Sequence, residues 1–195
     1  VYEIGKDFRN EGIDKSHNPE FTMLEFYQAY SDVYDMANLV ENLIHSLVTI
    51  LGINIVNFNN HEIKLQNKFN KIKFYDSIEE KLGESIENLS IENLYKVASK
   101  HNLNIDKKLS LGKFLDKIFS IVVEPTLINP TFVFDYPLEI SPLAKSKRDN
   151  KKDIVERFEF FVGGYEIANS FTELNDPIDQ AQRFKSQEKI NNNEK

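Results

Sequence analysis

Strand-like runs rich in aromatic residues lie near both ends of this chain, and helical hydrophobic patterns lie between them. The chain has 195 residues, among them 15 Phe and 8 Tyr, and such side chains favour strands with one buried face. Residues 1–11 and 21–30 form two early runs, separated by the turn-rich segment 12–20. The late runs are 131–136, 157–163 and 166–173. This order predicts an α+β fold with a mainly antiparallel sheet flanked by helices.

Helical spacing of hydrophobic residues marks the middle of the chain. Four helices are predicted, over residues 32–52, 77–82, 91–101 and 111–124. Asp32 is the N-cap of the first helix and Gly52 ends it. The apolar stripe of this helix, expected to face a core, comprises Met36, Val40, Leu43, Ile44, Leu47, Val48 and Leu51. The predicted caps of the later helices are Ser77 and Ser110, and Asp176 followed by Pro177 predicts the start of a fifth, closing helix.

Weaker patterns between the first two helices indicate short peripheral strands. These are expected over residues 53–58, 61–65 and 69–74. We therefore expect one partial domain over residues 1–190, with an insert-like peripheral region at 52–109. The polar residues 191–195 have nothing to bury and are expected to form a disordered tail.

The charge balance and the cysteine count exclude several classes of protein. The chain carries 24 Lys plus Arg and 31 Asp plus Glu, a net charge of −7, which disfavours an autonomous nucleic-acid binder. It has no Cys, which excludes disulfides and thiol chemistry and fits a reducing compartment. No apolar run approaches the roughly 20 residues that a membrane span needs. We expect a cytoplasmic protein, and because the chain starts at Val1 we expect it to be incomplete.

Alternation along the first two strands gathers polar and aromatic residues on one face. In the first strand this face carries Asp7, Arg9 and Glu11. In the second strand it carries Phe21, Met23, Glu25 and Tyr27. If the two strands pair as a hairpin, this face resembles a recognition surface, although a simply polar outer face is the alternative.

Carboxylates are embedded in the aromatic late strands. Glu159 lies between Phe158 and Phe160, and alternation in the last strand places Asn169 and Glu173 on one face. A carboxylate in such a strand is costly unless it is paired or bound to metal. Two acidic strands of this type indicate a binding cleft.

Long motifs in this sequence resemble one enzyme family. The runs VYEIGKDFRNEGID at residues 1–14 and SHNPEFTMLEFYQAY at 16–30 resemble motif 2 of class II aminoacyl-tRNA synthetases, in the form found in lysyl-tRNA synthetases. The runs PTFVFDYPLEISPLAK at 130–145 and RFEFFVGGYEIANSFTELNDPIDQAQRF at 157–184 resemble the blocks that follow motif 2 in that family. The resemblance covers nearly the whole chain and is weakest in residues 52–109. It implies an incomplete class II catalytic core.

The resemblance implies an ATP site. Arg9 matches the catalytic arginine that holds the α-phosphate, and a planar guanidinium suits the charge that grows there. Glu11 matches the acceptor of the adenine amino group, and Phe21 matches the aromatic residue that stacks on adenine. His17 and Asn18 match loop residues near the phosphates, although His17-Asn18-Pro19 is first of all a turn sequence. Two further ATP-binding positions, matched in the late strands, are Glu159 and Asn169.

The resemblance also implies a pocket for lysine. The residues that match the positions around the substrate are Glu25, Tyr27, Asn169, Phe171 and Glu173. Lysine carries a compact, strongly hydrated cation, so a selective site must supply anions or phenolic oxygens. A neutral or acidic amino acid would leave these carboxylates unpaired.

Glu159 and Glu166 match the carboxylates that hold Mg²⁺ in the family. Carboxylates combined with substrate phosphates are the usual ligands of Mg²⁺. Strict alternation, however, places Glu166 on the face opposite Asn169, where it would be a solvent-facing charge. A bulge after Gly163-Gly164 would re-aim it.

The basic residues at the end of the run 130–145 and in the loop that follows it have two interpretations. This group comprises Lys145, Lys147, Arg148, Lys151 and Lys152. It is either a solvated loop or a contact for the tRNA acceptor stem, and the intervening aspartates favour the solvated loop.

The implied activity is ATP-dependent ligation of lysine to tRNA(Lys) through lysyl-adenylate, by a homodimer in the complete enzyme. Two alternatives stay open: a lysyl transferase that modifies elongation factor P, and a non-catalytic paralogue that binds lysine or nucleotide. The family's anticodon-binding barrel, motif 1 and motif 3 have no counterpart in these residues. We therefore expect an exposed apolar face where motif 3 would pack.

The 195 residues alone are predicted to be poorly stable and nearly inactive, because motif 3 supplies part of the family's ATP site. Lysine-dependent exchange of pyrophosphate into ATP measures this directly. An exchange rate near that of a complete ligase would contradict the expectation.

Overall fold

The computed structural model describes residues 1–10, 12–13, 17–149 and 153–193. The chain divides into two compact units, residues 1–31 and residues 32–195. The first unit is a strand hairpin, and the second contains the larger sheet and the helices. Four of the five strand pairings are antiparallel, so the predicted α+β class is confirmed.

The first unit pairs β1 (Tyr2–Phe8) with β2 (Glu20–Phe26) in antiparallel register. Asp7 lies opposite Phe21 and Glu3 lies opposite Glu25. Directly opposed residues share a face, so the predicted pairing is confirmed. Both strands end earlier than predicted, although the Arg9 N–H still donates to the Pro19 carbonyl at 2.9 Å.

Helix α1 (Val33–Leu51) begins and ends where the sequence predicts. Asp32 and Asp35 form a reciprocal capping box, and Gly52 ends the helix with a φ of 66°. The buried positions include Met36, Ala37, Val40 and Val48. Three residues predicted to face the core, Leu43, Leu47 and Leu51, are instead exposed.

An apolar stripe therefore runs along the open side of α1. Its members, one or two turns apart, are Leu39, Leu43, Leu47 and Ile50. The apolar residues of α1 therefore cover more of the helix surface than the face that is buried. The stripe is an exposed apolar surface within the described part of the second unit.

Residues 52–109 are less peripheral than predicted. β3 (Ile55–Phe58) and β4 (His61–Lys64) form a small separate hairpin. β5 (Asn70–Lys73), by contrast, joins the main sheet in parallel with β6 (Thr131–Phe134). Phe74 and Ile78, in the helix that follows β5, are fully buried in the core because both lie on its inner face.

The main sheet has the order β5-β6-β7-β8. β7 (Arg157–Val162) and β8 (Tyr165–Phe171) are antiparallel neighbours joined by a tight turn. Gly163 and Gly164 of that turn have φ values of 64° and 80°, which glycine adopts without strain. A side chain at Gly163 would also collide with the Phe58 ring, 2.9 Å from the position of its Cβ.

Three helices contribute to the hydrophobic core on one face of this sheet: α2 (Phe74–Leu82), α3 (Ile91–Lys100) and α4 (Leu111–Val122). α2 starts three residues earlier than predicted, so Ser77 is not its cap. The Ser77 hydroxyl is buried and donates instead to the Phe74 carbonyl at 2.7 Å. The opposite sheet face is aromatic, with Phe132 packed on Phe160 at a ring distance of 4.5 Å.

The start of α4 packs closely against a short 3₁₀ turn, Leu138–Ile140. Ser110 holds the N-cap position of α4, as predicted. The Gly112 N–H donates to Glu139 Oε1 at 3.1 Å, so a carboxylate from the turn satisfies an amide of the first helical turn. Gly112 permits this approach because it has no Cβ.

Helix α5 (Pro177–Asn193) closes the described structure. The Asp176 side chain accepts from the Ile178 N–H at 2.9 Å, which confirms the predicted cap. Arg183 is buried and donates to the Ala144 carbonyl at 2.6 Å. The helix extends to residue 193, within the segment 191–195 for which the sequence predicts a disordered tail. Residues 194–195 lie outside the described residues.

None of the helices in the described residues combines the length and the hydrophobicity that crossing a membrane requires.

Replacing Gly112 with Ala is expected to destabilise the second unit. The new methyl group would lie 2.9 Å from Glu139 Cβ and 3.1 Å from Ile140 Cγ2. Overpacking of this kind outweighs the helical preference of Ala, leaving a net loss of about 1 kcal/mol. Urea unfolding measures it, with Gly12→Ala as control because nothing lies within 4 Å of the Gly12 position. Unchanged or greater stability for Gly112→Ala would show that the contact is not tight.

Candidate functional site

Arg9 and Phe21 lie together on one face of the hairpin. The Arg9 guanidinium carbon lies 5.2 Å from the centre of the Phe21 ring. Arg9 Nε lies 3.5 Å from Asp7 Oδ2, and the guanidinium also reaches the Met23 sulfur at 4.0 Å. Stacking on a ring and pairing with a carboxylate both restrict the side chain, so Arg9 is presented in a defined position.

The same hairpin face carries two opposed carboxylates. Glu25 lies directly opposite Glu3, and like charges in this position repel each other. A bound cation would relieve the repulsion. Sequence reasoning missed Glu3, although alternation back from Asp7 places it on the same face.

Tyr27 and the loop residues lie beyond the paired strands. The Tyr27 backbone is tied to Val1 by two hydrogen bonds of 2.8 and 2.9 Å, and its side chain is exposed. His17 and Asn18 are exposed in the loop before β2. The predicted adenine contact Glu11 lies outside the described residues.

In the second unit, Glu159 is nearly buried and accepts from several donors. Its side chain is 13% exposed. The Tyr136 hydroxyl donates to Glu159 Oε2 at 2.7 Å, and Arg157 pairs with Oε1. Burial and the nearby Glu166 carboxylate raise the pKa of Glu159 to about 7, although Arg157 and Tyr136 oppose the rise.

A bulge in β8 brings Glu166 to the face that carries Glu159. Phe160 lies opposite Ala168 while Phe161 lies opposite Glu166, so Ile167 is an extra residue. Asn169 is paired with Glu159 and shares its face, and beyond the bulge Glu166 shares it too. The structure therefore has the bulge that the sequence suggested, three residues beyond the paired glycines.

Phe171 at the end of β8 and Glu173 just after it belong to the predicted lysine pocket. Phe171 is half-buried and lies opposite Arg157. Glu173 is exposed just beyond the strand and forms an isolated bridge with Ala144. The Lys145 N–H donates to the Thr172 carbonyl at 2.8 Å, so the segment after the 3₁₀ turn lines up beside Glu173.

Sequence reasoning missed the two residues that surround Glu159. Arg157 could have been found, because it lies two residues before Glu159 and shares its face. Tyr136 lies in the predicted strand run 131–136, where alternation would place it with Phe134, but β6 ends at Phe134 and Asp135 has a φ of 65°, so the alternation does not hold. The Arg157 guanidinium lies 4.8 Å from the centre of the Tyr136 ring.

A further carboxylate lies close to these groups. Burial raises the pKa of Glu124, and the Asp116 and Glu166 carboxylates raise it further. Glu124 begins a 3₁₀ turn, Glu124–Thr126. The backbone after that turn accepts hydrogen bonds from the Gly163 and Gly164 amides at 2.9 and 3.0 Å.

The donor set fits a partly exposed Mg²⁺ site. Within residues 1–10, 12–13, 17–149 and 153–193, no three His, Asp or Glu side chains are arranged to hold a metal ion by themselves. Two carboxylates on one sheet face match the type of Mg²⁺ site that is completed by substrate phosphates and water. A divalent cation would also offset the repulsion between Glu159 and Glu166.

The basic loop is solvated only in part where it is described, because Arg148 is 61% exposed whereas Lys147 is 18% exposed. Lys147 Nζ lies 2.5 Å from Asp135 Oδ2, and the two side chains are 18% and 8% exposed. Burial lowers the pKa of Lys147, but its bond to Asp135 outweighs this and leaves the pKa raised. Arg148 Nε pairs with Glu156 at 2.9 Å. These two cations therefore stabilise the fold, while Lys151 and Lys152 lie outside the described residues.

Comparisons with known proteins agree on one family. The sequence matches the family described as tRNA synthetases class II (D, K and N) over residues 1–195. It is 43% identical to a lysine–tRNA ligase of Mycoplasma mobile over 196 positions, covering 100% of this chain and 40% of that protein. It is 45% identical to a lysine–tRNA ligase of Staphylococcus epidermidis, covering 96% of this chain and 38% of that protein. For the lysine–tRNA ligase of Wigglesworthia glossinidia brevipalpis the identity is 47%, with 96% and 38% covered. The chain thus spans about two fifths of the length of these relatives.

Removing Lys147 is expected to destabilise the second unit strongly. Lys147→Met leaves the buried Asp135 without its partner, and breaking such a pair costs about 3 kcal/mol. The matched control is Lys64→Met, because Lys64 lies 3.8 Å from Glu62 in a pair that is 58% and 56% exposed. An exposed pair contributes less than about 1 kcal/mol. Equal urea midpoints for the two variants would mean that Lys147 is a surface charge.

Proposed function

This chain belongs to the class II tRNA synthetases of the D, K and N group, and on that basis we propose that it is the central catalytic part of a lysine–tRNA ligase. The complete enzyme would activate lysine with ATP, releasing pyrophosphate, and transfer the lysyl group to tRNA(Lys). We further propose that it acts as a homodimer in the cytoplasm. The observation that supports this most is the β8 bulge, which places Glu166 on the face of Glu159 and Asn169.

The hairpin supplies the cation that adenylation requires. The lysine carboxylate attacks the α-phosphorus of ATP, the bond to the leaving pyrophosphate breaks, and negative charge grows on the α-phosphate oxygens. Arg9, held by Asp7 and stacked on Phe21, would donate to those oxygens. Phe21 offers an aromatic surface to adenine, and we assign His17, Asn18 and Glu11 to the same nucleotide.

Carboxylates are proposed to select the amino acid. Glu25, with Tyr27, would receive the lysine ammonium, and the opposed Glu3 adds negative charge to that face. In the second unit we assign Glu173, Asn169 and Phe171 to lysine. A neutral side chain would leave these carboxylates unpaired, which is a stronger filter than size.

We assign Glu159 and Glu166 to Mg²⁺. When bound, the ion would neutralise charge on the ATP phosphates and hold the leaving pyrophosphate. Asn169 lies opposite Glu159 and its amide is 3.5 Å from Glu159 Oε1, so it would help to orient the carboxylate. No protein nucleophile is required, because the enzyme acts by positioning and by charge stabilisation.

The activity is tested by lysine-dependent exchange of pyrophosphate into ATP, with a full-length ligase that contains this chain. Glu25→Gln removes one charged partner of the ammonium, so kcat/KM for lysine should fall about 10- to 100-fold. The matched control is Glu20→Gln, since Glu20 lies on the same strand, faces the other way and pairs with Lys6 at 3.2 Å. Control activity should stay within about twofold of the unchanged enzyme.

Two results would contradict the proposal. Equal effects of Glu25→Gln and Glu20→Gln would remove the proposed basis of lysine selection. Absence of any exchange in the unchanged enzyme would favour a non-catalytic protein that only binds lysine or nucleotide.

A further inference from the structure

Both oxygens of the Glu159 carboxylate accept hydrogen bonds from residues to which the proposed function assigns no role. Oε2 accepts from the Tyr136 hydroxyl at 2.7 Å. Oε1 is paired with the Arg157 guanidinium. Tyr136 is fully buried, so its hydroxyl has a fixed position and donates to Glu159 Oε2.

Arg157 is itself fixed by its surroundings. Its Nε donates to Asn169 Oδ1 at 3.1 Å, and its Nη1 donates to Ser141 Oγ at 2.8 Å and to the Ile140 carbonyl at 3.2 Å. Its Nη2 pairs with Glu159. All three guanidinium nitrogens are therefore engaged, and the group is 15% exposed. Arg157 is in position to act on Glu159 rather than on a substrate phosphate.

The ring of Tyr136 joins the two contacts into one unit. The Arg157 guanidinium carbon lies 4.8 Å from the Tyr136 ring centre, within the range of a cation–π contact. Tyr136 therefore supports Arg157 with its ring and Glu159 with its hydroxyl. Loss of the hydroxyl alone would leave the ring contact in place.

We propose that Tyr136 and Arg157 are positioning residues that fix the orientation of the Glu159 carboxylate for Mg²⁺. This inference rests on the function proposed above, in which Glu159 is a metal ligand. Groups that hydrogen-bond to a metal ligand set its orientation, and their loss typically weakens metal binding about 10- to 100-fold. A Glu side chain without such partners has several rotamers, of which few direct the carboxylate to one point.

The position of Arg157 depends on the 3₁₀ turn Leu138–Ile140 and the residue after it. Ile140 and Ser141 supply two of its acceptors. The same turn carries Glu139, which caps α4 through the Gly112 amide. The packing of α4 on the turn thus contributes to the placement of the carboxylate, and this connects the helical layer to the proposed metal site.

The test uses Tyr136→Phe in a full-length ligase containing this chain, because the change removes only the hydroxyl. Binding of Mn²⁺, a spectroscopic substitute for Mg²⁺, is followed by electron paramagnetic resonance with a non-hydrolysable ATP analogue present. The Mn²⁺ dissociation constant should rise about tenfold or more. The Mg²⁺ concentration at half-maximal exchange should rise in parallel, with kcat recovering at saturating Mg²⁺.

Tyr95→Phe is the matched control. The Tyr95 hydroxyl also makes one short hydrogen bond, to the Lys107 carbonyl at 2.6 Å, and its ring packs on Phe114 at 4.9 Å. It lies in α3, away from Glu159 in the hydrogen-bond network. We expect its Mn²⁺ affinity to match that of the unchanged enzyme. Equal Mn²⁺ affinity in Tyr136→Phe and Tyr95→Phe would overturn the proposal.

A second variant covers the case in which Tyr136→Phe fails to fold. Arg157→Lys keeps the charge but loses the planar fork that makes several bonds at once, so it should also weaken Mn²⁺ binding. Unchanged Mn²⁺ affinity in a folded Arg157→Lys enzyme would equally overturn the inference. Failure of the proposed function is distinguishable, because it would appear as no lysine-dependent exchange in the unchanged enzyme.

Discussion

One extra residue in β8 determines which side chains share a face of the main sheet. Without the bulge at Ile167, alternation would direct Glu166 away from Glu159 and Asn169. With it, two carboxylates and an amide lie on the same side. The arrangement is unfavourable in itself, because like charges close together repel, and the raised pKa of Glu159 reflects burial together with that repulsion. Arg157 and Tyr136 offset part of the cost.

The rest of the second unit keeps this sheet in place. Its far face is filled with phenylalanine rings, including Phe132, Phe158 and Phe160, all fully buried. The turn that leads into β8 is held by two backbone hydrogen bonds to residues 127 and 128. Because the turn is fixed at one end and the aromatic layer fixes β7, the bulge is confined to a short stretch of β8.

Much of this architecture could be predicted from patterns along the chain, because they are local. The caps Asp32 and Asp176 and the pairing that brings Arg9 to Phe21 follow from short-range rules. The exposure of Leu43 and Leu47 could not be predicted in this way. A helical stripe shows which residues are apolar, but not how much of the stripe packs against another element. The pairing of Lys147 with Asp135 could not be predicted either, because the two residues are separated in sequence and no local pattern joins them. Alternation along the predicted run 131–136 would place Tyr136 with Phe134, but β6 ends at Phe134 and the positive φ of Asp135 breaks the alternation, so only three-dimensional structure could assign Tyr136 to Glu159.

The assignment of individual side chains to ATP and lysine rests on different evidence from the assignment of the family. Family membership follows from the match over the whole chain, whereas the roles of Glu25, Glu166 and Glu173 come from position within motifs. The geometry of each unit supplies an independent physical reason for these roles: opposed carboxylates in the hairpin and a bulged acidic strand in the sheet.

The central claim is that Glu159 and Glu166 serve one metal ion. Crystals of a full-length ligase containing this chain, grown with ATP and Mn²⁺ in place of Mg²⁺, would test it most directly through the anomalous signal of manganese. The account predicts a peak with oxygen atoms of both glutamates at coordination distance, about 2.0–2.2 Å. A peak that lacks either glutamate among its ligands would contradict it.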